Sequence, residues 1–416
     1  MAVDYDLVIL GGTAYARDAA LQATSYGARI ALIEPFGLYE QNQTQKYLLY
    51  ALRQLGETMQ RQKVGTYFGL TNSGQLNWSQ VLAWARIAAT TQQPYLSAEA
   101  LSLKGIDVIL EAPERLSRNL AVTTENRRLT TRGVLAAFGH LPTFIEGLQT
   151  ASLPDLVSLA SGSLETISWA LALHHCGVRV NLITNNVLPN HDLDIRRLVR
   201  SHLTASGISI SPKPQPDQVL VQSPRPVIEL PRFITLKTNR RMQTNHPRVF
   251  ACGSILGGVE GDAIAHQEAD IAIRNALFLP RNTINYETIA YGETWLSIIG
   301  LTEAQARRRY GSAVQTFVAT SANATCLSHE SPLPSYRKLV FVGDRLLGAH
   351  ILGENVDVTM KALVSNINKN VALSDLKSQI VQFSIETPSS VQRSSWQIGQ
   401  WRRGWAENWF NWRRSR

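Results

Sequence analysis

The stretch YDLVILGGTAYARDAA, residues 5–20, decides how this chain folds. A short apolar run opens directly on Gly11-Gly12, and a helical pattern follows. A second apolar run, ARIALI at residues 28–33, ends on Glu34. Strand, glycine turn, helix, strand and acid in this order are typical of a βαβ unit that binds a dinucleotide, with the pyrophosphate at the helix N-terminus and a ribose at the acid. The alternative is a unit of the same topology that binds no nucleotide.

The glycine turn departs from the full fingerprint of such a unit, which is GxGxxG. Its three positions read Gly11, Thr13 and Ala16. Alanine is tolerated at the last position, but Thr13 places a Cβ where the backbone would approach a phosphate. The threonine hydroxyl could instead bond that phosphate, so the residues leave nucleotide binding at this turn open.

A second βαβ unit begins with the apolar run at residues 156–160 and continues through a helix into the strand VRVNLIT. All three fingerprint positions of its turn carry side chains, namely Ser161, Ser163 and Thr166, and no acid follows its second strand. Because these side chains obstruct the close backbone approach to a pyrophosphate, the sequence predicts that this unit does not bind NAD(P)H.

The C-terminal part reads differently from the two βαβ units. A third nucleotide-type strand, RVFACG at residues 248–253, precedes it. From Asn285 on, the segment YETIAYGETWLSIIGLTEAQARRRYG is followed by two apolar strands, at residues 337–343 and 346–353, and then by a helix. The predicted fold class is therefore α/β, with two Rossmann-like nucleotide-binding domains and a C-terminal α+β domain.

Composition narrows the function further. The chain has 416 residues, of which 44% are hydrophobic and 18% charged, as in a globular protein of several domains. Its three cysteines, Cys176, Cys252 and Cys326, form no CxxC or CxxxxC pair, which excludes a local redox dithiol or zinc ribbon, and no other metal-site spacing occurs. The net charge is +9, of which +4 lies in the C-terminal tail, and the basic residues outside the tail are scattered, so a nucleic-acid partner is not expected. The start lacks a basic run and no apolar run reaches the ~18–20 residues of a membrane span, which predicts a cytoplasmic protein.

An ordered set of motifs resembles the pyridine nucleotide-disulfide oxidoreductases, on the side of mercuric reductase and dihydrolipoamide dehydrogenase. The motifs are residues 5–20, VLAAFGHLP (134–142), TNHPRVFACGS (244–254), GLTEAQAR (300–307) and KLVFVGDRLLGAHILG (338–353). The resemblance implies an FAD-binding-like domain at residues 1–150 and 230–282, a shortened NAD(P)H-binding-like domain at 151–229, a dimerisation domain at 283–390 and a tail at 391–416. It also implies a homodimer.

The resemblance further implies which residues would contact FAD. They are Gly11, Gly12, Thr13, Ala16, Glu34, Lys46, Gly139, Gly253 and Ser254. Ser254 stands where the family has the aspartate that holds the ribityl chain, and the usual glutamate partner of Lys46 falls at Ser168. We expect Lys46 without that partner to have a lowered pKa or to be exposed. FAD binding stays open on these residues.

Further departures bear on the chemistry. The family's CxxxxC redox turn is missing from EPFGLYEQNQTQKYLLYAL, residues 34–52, and the C-terminal His–Glu pair is absent from VQFSIETPSS, residues 381–390. These losses predict a degenerate member without catalytic residues, with a structural or scaffolding role. The alternative is an active FAD-dependent oxidoreductase that passes electrons from the flavin directly to a quinone or a protein acceptor.

The tail is the feature that the resemblance does not explain. Five of the nine tryptophans lie in the last 21 residues, beside five arginines and one acid. On a helix, four of these tryptophans fall within an arc of about 80°, and four of the five arginines point away from it. The residues of this face and its flank are Trp401, Arg402, Arg403, Trp405, Trp409, Trp412, Arg413 and Arg414. The pattern predicts peripheral attachment to an anionic membrane surface or a membrane protein complex, and the alternatives are another protein partner or the chain's own body.

Overall fold

The computed structural model describes residues 3–67, 76–138, 153–213, 219–221, 234–256, 261–321 and 335–353, together with Val356, Met360 and Leu363. The chain forms two units, one of Met1–Asn186 with Gly207–Ile284 and one of Val187–Ser206 with Asn285–Arg416. The division into four parts predicted from the sequence stays a prediction.

The first unit contains two parallel sheets and one antiparallel sheet among its described residues. Its strands are β1 (Leu7–Leu10), β2 (Ile30–Ile33), β3 (Asp107–Ile109), β4 (Pro113–Leu116), β5 (Ala121–Thr124), β6 (Arg128–Thr130), β7 (Val134–Ala136), β8 (Leu156–Leu159), β9 (Arg179–Ile183), β10 (Ser209–Ser211), β11 (Val219–Val221) and β12 (Val249–Ala251). Its helices are α1 (Ala14–Ser25), α2 (Leu38–Tyr67), α3 (Trp78–Thr91), α4 (Ala98–Leu103), α5 (Leu164–His175) and, numbered after α6 of the second unit, α7 (Asp262–Leu277).

The main parallel sheet has the order β12-β7-β1-β2-β3, so β1 lies at its centre. All four residues of β1 and all four of β2 are buried. Such unbroken apolar runs are typical of parallel strands covered on both faces. Helix α1 connects β1 to β2, and it packs against α7. This arrangement places the glycine turn at the carboxyl end of the central strand, which is where ligands bind in open α/β sheets.

The second parallel sheet has the order β10-β9-β8-β11. Strands β8 and β9 pair in parallel and are connected by α5, as the sequence predicts for a second βαβ unit. A small antiparallel sheet of β4, β5 and β6 completes the first unit among the described residues.

Among its described residues, the second unit combines helices with an antiparallel sheet of five strands in the order β13-β14-β17-β16-β15. The elements are α6 (Leu193–Ala205), β13 (Ala290–Glu293), β14 (Leu296–Gly300), α8 (Glu303–Tyr310), β15 (Val314–Ser321), β16 (Ser335–Val342) and β17 (Arg345–Leu352). Its core includes Ile299, Leu339, Phe341, Ala349 and Ile351. Two Rossmann-like parallel sheets and a separate antiparallel domain confirm the predicted α/β fold class.

Candidate nucleotide-binding site

The turn between β1 and α1 is held by the side chain of Thr13. Thr13 is the N-cap of α1, and its hydroxyl accepts a hydrogen bond from the Ala16 N–H at 3.2 Å. The same hydroxyl donates to the carbonyl of Ala137 at 2.8 Å. Thr13 is buried, so its hydroxyl serves as a cap and a link to the neighbouring strand region and is not presented to a ligand.

Gly11 and Gly12 each face a close neighbour. A Cβ on Gly11 would lie 2.8 Å from the Leu32 Cδ1 atom and 2.9 Å from the Ala16 Cβ atom, so the small residues here let α1 pack closely on the sheet. A Cβ on Gly12 would lie 2.8 Å from Cγ of Leu38, which is buried at the start of α2. The Leu38 side chain therefore covers one side of the turn.

Glu34, the predicted ribose acceptor, is paired inside the protein. It follows β2 and is 1% exposed. The Arg17 guanidinium donates to it through Nη2 and through Nε, the latter at 3.3 Å. Arg17, on α1, is also 1% exposed. Burial raises the pKa of Glu34, although the adjacent guanidinium opposes that shift.

Arg17 has two further anchors. Its Nη1 donates to the carbonyl of Leu96 at 2.7 Å, and its guanidinium carbon lies 3.6 Å from the ring centroid of Tyr39. The sequence prediction missed this residue. The available signal was a single arginine among the alanines of α1, on the stripe shared with Ala20 and Ala23, which the structure buries.

Gly253 and Ser254 lie at the carboxyl end of β12. Gly253 has a φ of +83°, and a Cβ there would lie 2.7 Å from the Tyr15 ring, so only glycine fits this conformation and contact. The Gly253 N–H donates to the Glu268 carboxylate at 2.7 Å. Ser254 begins a short 3-10 turn that ends at Leu256.

Lys46 lies on α2 and bridges to α7. Its Nζ is 2.7 Å from the Asp262 carboxylate, and the two side chains are 51% and 64% exposed. Partial burial by itself favours a lower pKa for Lys46, but the charge and the hydrogen bond of the Asp262 carboxylate together have the larger effect, so the pKa of Lys46 is raised. Lys46 is thus half exposed and its pKa is raised, whereas Ser168 is buried on α5. A second bridge joins Asp18 of α1 to His266 of α7 at 3.4 Å.

The turn of the second βαβ unit is also closed by protein atoms. Ser163 caps α5 and accepts from the Thr166 N–H at 3.2 Å. The backbone carbonyl of Asn186 packs directly on Gly162, and a Cβ on that glycine would lie 2.8 Å from the Thr184 hydroxyl. A carbonyl oxygen facing the turn repels a phosphate, and the residues at this turn do not form the anion cradle of a dinucleotide site.

Comparison with known proteins shows which proteins this chain is similar to. Residues 286–383 match the family model of the pyridine nucleotide-disulphide oxidoreductase dimerisation domain. The chain is similar to dihydrolipoyl dehydrogenase of Bacillus subtilis (strain 168), with 23% identity across 86% of this chain and 90% of that protein. Mercuric reductase of Staphylococcus aureus is 22% identical across 90% of this chain and 79% of its own length. Glutathione reductase of Nostoc sp. is 22% identical across 85% of this chain and 92% of its own length.

The chain is similar to pyridine nucleotide-disulfide oxidoreductases along most of its length, and residues 286–383 match the dimerisation domain of that family. The resemblance seen in the motifs is therefore confirmed, at low identity. The matched dimerisation domain supports a homodimer. This similarity is consistent with FAD as a candidate cofactor. The residues expected to hold it do not fit the family's arrangement, however, because Glu34 and the Thr13 hydroxyl are buried in contacts within the protein.

The sulfur atoms of this chain do not form a redox pair among the described residues. Cys176 and Cys252 are free and buried, and they lie in α5's C-cap and directly after β12. The Cys176 thiol donates to the Leu52 carbonyl at 3.4 Å. Burial raises the pKa of Cys176 to about 11 and that of Cys252 well above its ordinary value. Cys326 lies outside the described residues.

Two groups of predicted residues fall outside the described chain. They are Gly139 and the tail residues from Trp401 to Arg414. Within the described ranges, no helix is long and apolar enough to cross a membrane. Across those same ranges, no group of three His, Cys, Asp or Glu side chains could hold a metal ion.

Proposed function

We propose that this chain is a degenerate member of its family that has lost disulfide reduction and serves a structural or scaffolding role as a homodimer. The main support is the position of the cysteines and the protonation state of their thiols. Thiol–disulfide exchange requires a thiolate placed to attack a second sulfur. Helix α2, which follows Glu34, contains no cysteine, and the buried thiols of Cys176 and Cys252 are held in the neutral form.

Two further arrangements support a non-catalytic role. The turn of the second βαβ unit is packed by the Asn186 carbonyl and capped by Ser163, which removes the usual place for NAD(P)H. Lys46 is engaged with Asp262 in a half-exposed ion pair. A flavin in this chain would therefore lack both the usual reductant and the usual acceptor.

The test is an absorbance scan of the purified protein before and after addition of NADH or NADPH, followed by an assay with a small aromatic disulfide. We expect no flavin band that bleaches and no thiol release above the rate of a Cys176→Ser/Cys252→Ser control. A stoichiometric flavin that bleaches and passes electrons to the disulfide would refute the proposal. Bleaching with transfer to a quinone alone would instead establish a direct flavin oxidoreductase.

We further propose that the tail attaches the dimer to an anionic membrane surface or to a membrane protein complex. The support is the sequence of residues 396–416, which contains five tryptophans and five arginines. Indoles favour the headgroup region, and each arginine near an anionic surface adds about 1 kcal/mol. Deletion of residues 396–416 should release the protein from phosphatidylserine vesicles, while an Arg→Lys version of the tail, as control, should still bind. Binding that survives the deletion contradicts the tail's role.

A further inference from the structure

We infer that Arg17 is a built-in occupant of the first nucleotide site: its guanidinium takes the place at Glu34 that an adenosine ribose would take, and it closes the site to FAD and ADP. This inference deepens the proposed function and rests on it. The sequence places an acid at the end of β2, where this fold binds a ribose hydroxyl. In the structure, the partner of that acid is the guanidinium of Arg17.

Each of the three nitrogens of the Arg17 guanidinium donates a hydrogen bond within the protein. Glu34 accepts from two of its nitrogens, the Leu96 carbonyl accepts from a third, and the Tyr39 ring lies against its face. A planar guanidinium is suited to this combination of a forked carboxylate contact and stacking on an aromatic ring. The pair is 1% exposed on both sides, so no ligand hydroxyl can reach the carboxylate unless Arg17 moves.

The path of the pyrophosphate is obstructed in the same unit. Leu38 packs against Gly12, and the Gly12 carbonyl accepts from the Asn42 amide at 2.6 Å. The Thr13 hydroxyl, which could have bonded a phosphate, is shared between Ala16 and Ala137. Both halves of the expected site, at the acid and at the turn, are therefore satisfied by protein atoms.

The energetic consequence is a penalty on binding. To bind a ribose at Glu34, the chain must break this buried ion pair and leave the guanidinium with only the half-exposed carboxylate of Glu40, whose Oε1 atom lies 3.7 Å from Nη2. Breaking buried pairs of this kind weakens an equilibrium by about 10²–10⁴-fold. Removal of Arg17 should lift most of that penalty, because the freed Glu34 can then accept from the ribose.

The experiment compares ADP and FAD binding by equilibrium dialysis and thermal shift in four proteins. They are the unmodified chain, Arg17→Ala, Arg17→Ala/Glu34→Gln, and the control Arg29→Ala, whose arginine is 62% exposed on the same unit. We expect Arg17→Ala to bind ADP at least about tenfold more tightly than the unmodified chain. The added Glu34→Gln change should remove that gain, and Arg29→Ala should behave like the unmodified chain.

A folded Arg17→Ala protein that binds no better than the unmodified chain overturns the inference. So does binding by the unmodified chain that Arg17→Ala weakens, since Arg17 would then be a ligand contact. If Arg17→Ala does not fold, hydrogen exchange on the unmodified chain decides: millimolar ADP should leave the amides of residues 11–16 unchanged, and protection there overturns the inference. The proposed function fails on a different result, namely electron transfer from a bound flavin to a disulfide or a quinone, so the two failures are distinguishable.

Discussion

Lys338 offers the sharpest test of how the second unit is held together. Its ammonium group is 3% exposed on β16 and contacts three carboxylates, those of Asp192 at 3.3 Å, Asp194 at 2.8 Å and Glu303 at 2.6 Å. The perturbation is Lys338→Met, which keeps most of the side-chain volume and removes the charge. The carboxylates of Asp192 and Asp194, at the start of α6, and of Glu303, at the start of α8, would then lose the cation that they share.

The size of the effect follows mainly from Asp192. This carboxylate is 4% exposed and would be left buried without its cation, which typically costs 3–5 kcal/mol. The backbone N–H of Glu303 still donates to it at 3.1 Å, so we expect the lower end, about 3 kcal/mol. Asp194 is 47% exposed, and loss of its ion pair with Lys338 adds no more than about 1 kcal/mol because solvent screens that pair.

The assay is thermal unfolding at pH 7 followed by circular dichroism. A loss of about 3 kcal/mol in a domain of this size lowers the midpoint by roughly 6–12 °C. Arg307→Met is the matched control, because Arg307 bonds the same Glu303 at 2.7 Å but is 49% exposed. That surface pair lies four residues apart on one helix, so its loss should cost less than about 1 kcal/mol.

The pH dependence provides a second readout. Hydrogen bonding to Lys338 lowers the pKa of Asp194, and Lys338 and Arg307 together outweigh burial to lower the pKa of Glu303. A carboxyl group whose pKa is lowered in the folded protein stabilises the fold at pH values above its ordinary pKa. This contribution is lost as the pH falls through the lowered pKa. Burial lowers the pKa of the neighbouring His350, so this group stays neutral near pH 7. The gap between the unmodified chain and Lys338→Met should therefore shrink between about pH 5 and pH 3.

A Lys338→Met protein as stable as the unmodified chain at pH 7 would refute this reasoning. A double variant, Lys338→Met/Asp192→Asn, separates the causes. If the cost comes from the uncompensated Asp192 charge, the double variant should recover much of the lost stability. No recovery would show that packing around the lysine stem, and not its charge, accounts for the loss.

Three further predictions concern other parts of the chain. Phe341→Ala should lower the free energy of unfolding by about 3–5 kcal/mol in urea titrations, because the side chain is 1% exposed in the core of the second unit; a loss below 1 kcal/mol would contradict its placement. Thr302→Ala should cost about 1 kcal/mol because it removes the capping box of α8, and Thr302→Ser should restore it. Cys252 is fully buried with a raised pKa, so peptide mass spectrometry should show it reacting with a thiol reagent at pH 8 at least about tenfold more slowly in native protein than in urea, and equal rates would contradict the burial.

The sequence alone indicated several of the strands and the family resemblance. The apolar runs before Gly11 and Glu34 became β1 and β2, and the two runs at residues 337–343 and 346–353 became β16 and β17 within a few residues. Buried parallel strands and glycine turns have local signatures, so they can be read without tertiary information. The missing CxxxxC turn and the side chains in the second fingerprint were equally visible, because they are properties of position along the chain.

The fate of the candidate site was decided only by the tertiary structure. Glu34 was correctly located at the end of β2, yet its partner Arg17 depends on the side of α1 that faces the sheet and on the approach of Leu96, 79 residues further on. Likewise, Lys338 stands in an apolar strand pattern, and its carboxylates lie up to 146 positions away, at Asp192. Whether a charged side chain faces solvent, a ligand or another charge depends on which distant elements pack around it. That packing is settled by burial and pairing in three dimensions, which a local pattern does not record.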